Sequence, residues 1–114
     1  MYVRDYRDLP VESSGVDGLN VRWAINASQG ANHYGMRLFE LMPEKASAMH
    51  QHESEHEIFV LAGRGDIETD GESASISEGS VVFIASNETH LIRNTGREPL
   101  RFVDVVLFPV IPLK

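Results

Sequence analysis

The amino-acid sequence predicts an all-β fold whose strands are mostly antiparallel. Short segments rich in β-branched and aromatic residues follow one another along the chain, and many alternate between apolar and polar residues. Turn sequences rich in Gly, Asn, Ser and Pro separate them, and no long stretch shows the apolar period of an amphipathic helix. Eight or nine short strands at this close spacing are typical of a β-sandwich or barrel.

The first four expected strands lie in the first part of the chain. Residues 19–26 and 33–42 read LNVRWAIN and HYGMRLFELM, and a turn sequence follows each of them. Residues 46–52 (ASAMHQH) and 56–63 (HEIFVLAG) come next. The polar tripeptide between these two segments predicts a short turn.

The remaining expected strands are shorter and closer together. Residues 65–69, 74–77 and 80–86 are joined by the glycine-containing turns TDGES and SEGS. Residues 90–94 (HLIRN) and 100–108 (LRFVDVVLF) complete the set. All of them carry the Val, Ile, Phe or Thr residues that strands favour.

Length and composition indicate one globular domain that spans residues 1–114. The contents of 42% hydrophobic and 24% charged residues are ordinary for such a domain. Ten basic and 17 acidic residues give a net charge of -7, which argues against binding to nucleic acid or to an anionic membrane.

The sequence contains no cysteine, which excludes disulfides and thiolate metal sites. Any metal must therefore be held by nitrogen and oxygen ligands. The N-terminal residues lack the apolar run of a signal peptide, and the longest apolar stretches are far shorter than a membrane span. We therefore expect a cytoplasmic protein with no membrane partner.

Residues 52–56 (HESEH) match the H-E-x-x-H signature of zinc proteases, which requires a helix. The sequence disfavours that helix, because Ile58, Phe59 and Val60 favour a strand and two glycines follow soon after. On such a helix, His50 would also point away from the protease site.

A strand places the histidines differently. His50 and His52 lie two residues apart, so on a strand they point to the same face and can converge on one metal ion. His56 begins the next expected strand, and His90 begins another one far downstream. Four of the five histidines thus fall in two segments, which predicts a metal site.

These two segments resemble the two sequence motifs of the cupin superfamily. The first motif is a glycine, five residues, H-x-H, three or four residues, a glutamate, six residues and a glycine, and its match lies within residues 44–63. The second is a glycine, five residues, proline, one residue, glycine, two residues, histidine, three residues and asparagine. Its match lies within residues 79–94, where Gly79, His90 and Asn94 have the expected spacing. The chain is similar to small single-domain cupins, and this implies an antiparallel double-stranded β-helix, or jelly-roll, barrel.

Three turn positions depart from the cupin motifs. Glu44 replaces the leading glycine of the first motif, and Ala85 and Asn87 replace the proline and the glycine of the second. Asn is among the few residues that tolerate the left-handed conformation. We therefore expect the fold to be retained.

His56 stands where the cupin motif has its metal-binding glutamate, and Glu57 is displaced by one residue. Adjacent residues of a strand point to opposite faces, so both cannot face the metal. The six-residue spacing from His56 to Gly63 and the resemblance to cupins with a four-histidine site favour His56. Glu57 is the alternative ligand.

The resemblance implies one divalent transition-metal ion per chain, held by His50, His52, His56 and His90. It favours manganese or iron, although these ligands also admit Zn, Ni, Co or Cu. A six-coordinate ion with four protein ligands would keep two positions for small ligands.

Two functions fit such a site. The first is a mononuclear metal-dependent enzyme, similar to a dioxygenase, an isomerase or a lyase, whose small substrate chelates the metal through oxygen. The alternative is a non-catalytic module that binds or senses a small molecule; a purely structural metal fits the open positions less well. The sequence identifies no proton-transfer residue, so no catalytic residue is named.

The sequence also predicts a homodimer. Phe59 and Leu61 lie on the opposite face of the His56 strand, and the C-terminal segment is apolar on both of its faces. Small cupins often dimerise by exchanging terminal strands, and the N-terminal arm, residues 1–20, is expected at the dimer edge. Trp23 is expected to pack in the core and His33 to lie on the surface.

Overall fold

The computed structural model describes residues 1–48 and 55–107, and these residues form nine β-strands. The strands are β1 (Glu12–Val16), β2 (Leu19–Ile25), β3 (Tyr34–Leu41), β4 (His56–Ala62), β5 (Arg64–Thr69), β6 (Glu72–Ser77), β7 (Val81–Ile84), β8 (His90–Asn94) and β9 (Leu100–Leu107). The helical elements in these ranges are two short 3₁₀ turns, Tyr6–Asp8 and Ala27–Gln29. No helix in the same ranges is long and apolar enough to cross a membrane.

The strands form two antiparallel sheets that face each other. The larger sheet has six strands in the order β1-β2-β3-β9-β4-β7, and the smaller has three in the order β6-β5-β8. From β4 onwards the chain passes repeatedly between the sheets, because β5, β6 and β8 belong to one sheet and β7 and β9 to the other. The predicted all-β jelly-roll fold is confirmed.

The hydrophobic core lies between the sheets. Leu41, Val60 and Leu100 of the larger sheet have no exposed surface. Isoleucines of the smaller sheet pack against them from the other side, namely Ile67, Ile76 and Ile92. In β4, β8 and β9 the buried residues alternate with more exposed ones, as expected for strands with one face in the core.

The predicted strands coincide closely with β2 to β9, whereas β1 was not predicted. Its sequence, ESSGV, lacks the apolar alternation that marks the other strands. It forms by pairing with β2 inside the stretch 1–20, which was expected to be an N-terminal arm. Of the predicted strand 46–52, Ala46 makes an isolated bridge with Arg93, and residues 49–52 lie outside the described residues.

The two cupin glycine positions that this chain fills with other residues keep a left-handed backbone. Glu44 has a φ of 66° and Asn87 a φ of 64°. Such a conformation costs an L-residue roughly 1–2 kcal/mol, and less for Asn. The turns are thus retained without glycine, at some cost in stability at Glu44.

Gly63 joins β4 to β5 and must be a glycine for two reasons. Its φ is 90°, and a Cβ atom there would lie 2.6 Å from the carbonyl oxygen of Pro99. This close approach accompanies a shift in the pairing of β4 with β9 between Val60 and Ala62. Gly63 therefore allows the chain to pass from β4 in the larger sheet to β5 in the smaller sheet.

Replacing Glu44 by glycine should stabilise the protein. Glu44 is exposed and its backbone is left-handed, which destabilises the folded state. This free-energy cost exceeds the one that arises because glycine raises the conformational entropy of the unfolded chain. We expect Glu44→Gly to raise the free energy of unfolding by about 0.5–1 kcal/mol in urea titrations.

Glu72→Gly is the matched control, because Glu72 is equally exposed but lies in β6. This variant should lose roughly 0.5–1 kcal/mol, as glycine weakens a strand. A loss of stability in both variants would show that the turn at Glu44 is not strained.

Candidate metal centre

A cavity of about 420 Å³ lies between the two sheets. Much of its wall is apolar, and the aromatic rings of Trp23, Phe39 and Phe102 form part of it. The polar side chains that line it are those of Glu12, Ser13, Ser14, Arg37, Ser47, His56, His90 and Asp104. A largely apolar cavity with a few convergent polar groups is the usual form of a small-molecule site.

His56 enters this cavity from the larger sheet. It is the first residue of β4, it is 8% exposed, and it lies on the inner face beside Ile84 of β7. Its Nδ1 atom lies 2.9 Å from Oδ1 and 3.0 Å from Oδ2 of Asp104. Because a carboxylate accepts hydrogen bonds, this contact places the imidazole proton on Nδ1.

His90 enters the cavity from the smaller sheet. It is the first residue of β8 and is 4% exposed. Its Nδ1 donates to the carbonyl oxygen of Glu88 at 2.9 Å, since a carbonyl can only accept. Burial lowers the pKa of His90, more than the Glu88 carbonyl and nearby carboxylates raise it, so the neutral imidazole is favoured.

The two imidazoles meet edge to face, with ring centroids 5.4 Å apart. In both rings a protein oxygen holds the Nδ1 proton, so the lone pair lies on Nε2. This is the arrangement by which proteins present histidine to a metal. The chemistry of the pair fits two nitrogen ligands of a divalent transition metal.

The other two predicted ligands, His50 and His52, lie outside the described residues. Within residues 1–48 and 55–107 no three His, Cys, Asp or Glu side chains are grouped so that they could hold a metal. His50 and His52 lie in the sequence between the described residues Ala48 and Glu55. On the N-terminal side the chain runs beside β8, where the backbone N–H of Ser47 donates to the carbonyl of Ile92 at 2.8 Å. On the C-terminal side Glu55 directly precedes His56, so the flanking residues lie near the strands that carry the histidine pair.

Glu57, the alternative ligand, points away from the cavity. It lies on the outer face of the larger sheet, is exposed, and pairs with Phe83 of β7 and Val105 of β9. The cavity wall contains His56 and Ile58 but not Glu57. The alternation of side chains along β4 therefore places His56 in the cavity wall and Glu57 on the outer face of the sheet.

An ion pair between a half-buried arginine and a buried aspartate adjoins His56. Asp104 is 2% exposed, and its Oδ2 atom accepts a hydrogen bond of 2.5 Å from Nη2 of Arg37 on the neighbouring strand. The Arg37 guanidinium lies 5.4 Å from the ring centroid of Trp23 and 5.0 Å from that of Phe39. Both rings are within the range of a cation–π contact.

Arg37, Asp104 and Glu12 line the cavity although the sequence did not predict them as part of the site. Trp23 also lines it, although it was expected only to pack. A signal for Asp104 was present, because it is the one charged residue among the inward positions of an apolar strand. Glu12 gave no signal, since it belongs to the unpredicted β1. His33 is exposed, as predicted.

The sequence of a cupin domain matches residues 37–106, which include both His56 and His90. The chain belongs to the cupin family. Asn94, the last residue of the second cupin motif, has a structural role: its amide donates to the carbonyls of Leu41 and Glu98, both at 2.9 Å.

Several known proteins are similar over most of this chain. The oxalate-binding protein of Thermotoga maritima is 35% identical, covering 94% of this chain and 93% of that protein. The polyketide cyclase RemF of Streptomyces resistomycificus is 26% identical, with a TM-score of 0.90 over 100% of this chain and 84% of its own. A predicted oxalate decarboxylase from T. maritima, 24% identical, shares the fold with a TM-score of 0.81 over 94% of this cupin and 98% of that chain.

The buried His90 makes the stability of the metal-free cupin depend on pH. Its pKa is lower in the folded protein than in the unfolded chain, where it is about 6.5, so the unfolded state binds the proton more readily. The stability due to neutral His90 is complete above about pH 6.5 and is lost as the pH falls below that value.

We therefore expect the urea midpoint of the chelator-treated protein to fall between about pH 7 and pH 5.5. The decrease should be smaller in His90→Gln and unchanged in His33→Gln, because His33 is exposed. An equal decrease in wild type and His90→Gln would contradict the assignment.

Proposed function

We propose that this cupin is a mononuclear metal-dependent enzyme, similar to a dioxygenase, an isomerase or a lyase, acting on a small substrate with adjacent oxygen atoms. The observation that carries this proposal is the meeting of His56 and His90, from opposite sheets, inside a cavity of about 420 Å³. Bound there, a divalent metal would polarise a chelated substrate.

The proposed ligands are His50, His52, His56 and His90. Placement on the cavity wall supports His56 over Glu57, whose side chain lies on the other face of the strand. His50 and His52 lie in the sequence between Ser47, which is hydrogen-bonded to β8, and His56, so the chain length permits both to reach the site. Manganese or iron remains our choice of metal, on the resemblance to four-histidine cupins.

The cavity favours a substrate with a flat, largely apolar body. Its aromatic wall can stack against a ring, and its volume exceeds what a dicarboxylate such as oxalate would fill. A polyketide combines an extended carbon body with regularly placed oxygens, so the similarity to a polyketide cyclase agrees with this class. The apolar wall would exclude water, while Arg37 supplies a positive charge and Glu12 a carboxylate at the cavity surface.

The alternative is a non-catalytic module that binds the same kind of ligand through the metal. The relative that is named an oxalate-binding protein favours this second function. The two functions differ only in whether the bound molecule is converted.

Metal binding and turnover should depend on His56 and His90. Loss of the residue that hydrogen-bonds a metal ligand typically weakens metal binding roughly 10–100-fold. His56→Ala and His90→Ala remove a ligand itself, so we expect them to weaken Mn(II) or Fe(II) binding by more than this. Equilibrium dialysis with elemental analysis measures this loss. Glu57→Ala is the matched control and should bind metal as wild type does.

Turnover is tested with the loaded protein and a panel of catechols, keto acids and aromatic polyketide-like phenols, by dioxygen uptake and product chromatography. Conversion of one compound that disappears in His56→Ala supports the enzyme. Tight, metal-dependent binding of a compound that is recovered unchanged supports the binding module. Wild-type metal affinity in His56→Ala would refute both.

We also propose that the protein is a homodimer formed through the outer face of the larger sheet. Phe59, Val81 and Phe83, on the paired strands β4 and β7, are exposed by 46%, 81% and 58% and form a continuous apolar surface.

The net charge of -7 and the absence of cysteine support a cytoplasmic protein without nucleic-acid or membrane partners.

Charges placed on this surface should separate the dimer. We expect wild type to sediment as a dimer and the double variant Phe59→Asp/Phe83→Asp to sediment as a monomer, because each aspartate would be buried unpaired at the interface. Ser73→Asp adds a single aspartate at an exposed position of β6 and should remain dimeric. A monomeric wild type in analytical ultracentrifugation would overturn this assignment.

A further inference from the structure

We propose that Asp104 and Arg37 are positioning residues that fix the orientation and tautomer of His56. The inference rests on the proposed function in one respect, namely that His56 binds the metal. The geometry assigns Asp104 the direct contact with the imidazole and Arg37 the task of holding the Asp104 carboxylate.

The register of three adjacent strands brings these residues together. Arg37 of β3 is paired with Asp104 of β9, and Asp104 is paired with Ile58 of β4. His56 precedes Ile58 by two residues and faces the same side, so it is the diagonal neighbour of Asp104. A carboxylate at this position can reach a histidine ring, and both of its oxygens lie within 3.0 Å of Nδ1.

Arg37 prevents the carboxylate from turning away. Its Nη2 donates to Oδ2 of Asp104, and that same oxygen contacts His56. The guanidinium is itself held by Trp23 and Phe39, whose ring centroids lie 5.4 Å and 5.0 Å away. Rings, guanidinium, carboxylate and imidazole thus form one continuous chain of contacts that ends at the candidate ligand.

Stability alone does not account for this arrangement. A buried ion pair adds little net stability compared with apolar residues of similar volume. In addition, the Nε atom of Arg37 is buried without a hydrogen-bond partner among the described residues, which is unfavourable. The role that the contacts do serve is to keep the proton of His56 on Nδ1 and its lone pair on Nε2, directed to a metal.

The decisive variant is Arg37→Met/Asp104→Leu, which replaces both charges by apolar side chains and leaves neither of them unpaired. Replacement of both partners is close to neutral for stability, so the protein should fold. Asp104→Asn, which keeps the volume and one acceptor oxygen, is the second variant and should show a smaller effect in the same direction.

The control is a second arginine–carboxylate pair on the same two strands. Arg101 Nε donates to Glu40 Oε2 at 2.7 Å, and these residues are paired across β3 and β9 but belong to the outer face. Glu40→Leu/Arg101→Met therefore removes an equivalent cross-strand pair that does not touch a histidine.

The first measurement is the tautomer of His56 in metal-free protein, from the ¹⁵N shifts of its ring nitrogens. We expect a protonated Nδ1 in wild type and in the outer-face control, and a shift toward protonated Nε2 in Arg37→Met/Asp104→Leu. The second measurement is Mn(II) or Zn(II) affinity by chelator competition, which should fall roughly 10–100-fold in the inner variant and stay unchanged in the control.

An unchanged tautomer in the inner variant, or an equal loss of affinity in the control, would overturn the proposal. The tautomer measurement needs no metal, so it also separates the two proposals. Wild type that binds no metal but holds His56 with Nδ1 protonated would refute the proposed function and keep the positioning role of Asp104.

Discussion

The register between β4 and β9 is the constraint on which the rest of the site depends. Along a strand the side chains alternate, so the pairing of Ile58 with Asp104 places His56 and Asp104 on the inner face. A slip of one residue in β4 would turn His56 outward and Glu57 inward, and the carboxylate of Asp104 would lose its partner. The apolar core residue Val60, with no exposed surface, fixes this register, because a slip would carry it to the outer face.

The site takes one histidine from each of the two sheets. His56 comes from the six-stranded sheet and His90 from the three-stranded one, and each is held at Nδ1 by an oxygen from its own surroundings. The Nδ1 contact of each imidazole therefore does not involve the other imidazole. A metal between them would link the sheets directly, so its binding would be coupled to folding through the separation of the two layers.

The sequence predicted those features that depend on local pattern. The alternation in HEIFVLAG placed His56 at the start of a strand and separated it from Glu57, and the motif spacing identified His90. The partnership of Arg37 with Asp104 was not predictable, because the two residues lie 67 positions apart and meet only through the β3–β9 pairing. The edge strand β1 has neither apolar alternation nor a motif, and its formation depends on β2.

The position of β1 bears on how this cavity can change during evolution. The strand lies at the edge of the larger sheet, yet Glu12, Ser13 and Ser14 contribute to the cavity wall. None of these residues belongs to the buried core, so substitutions among them alter the shape and charge of the wall without disturbing the packing that keeps the sheets together. Substitutions in the edge strand can thus change the shape and charge of the cavity while the packing of both sheets is kept.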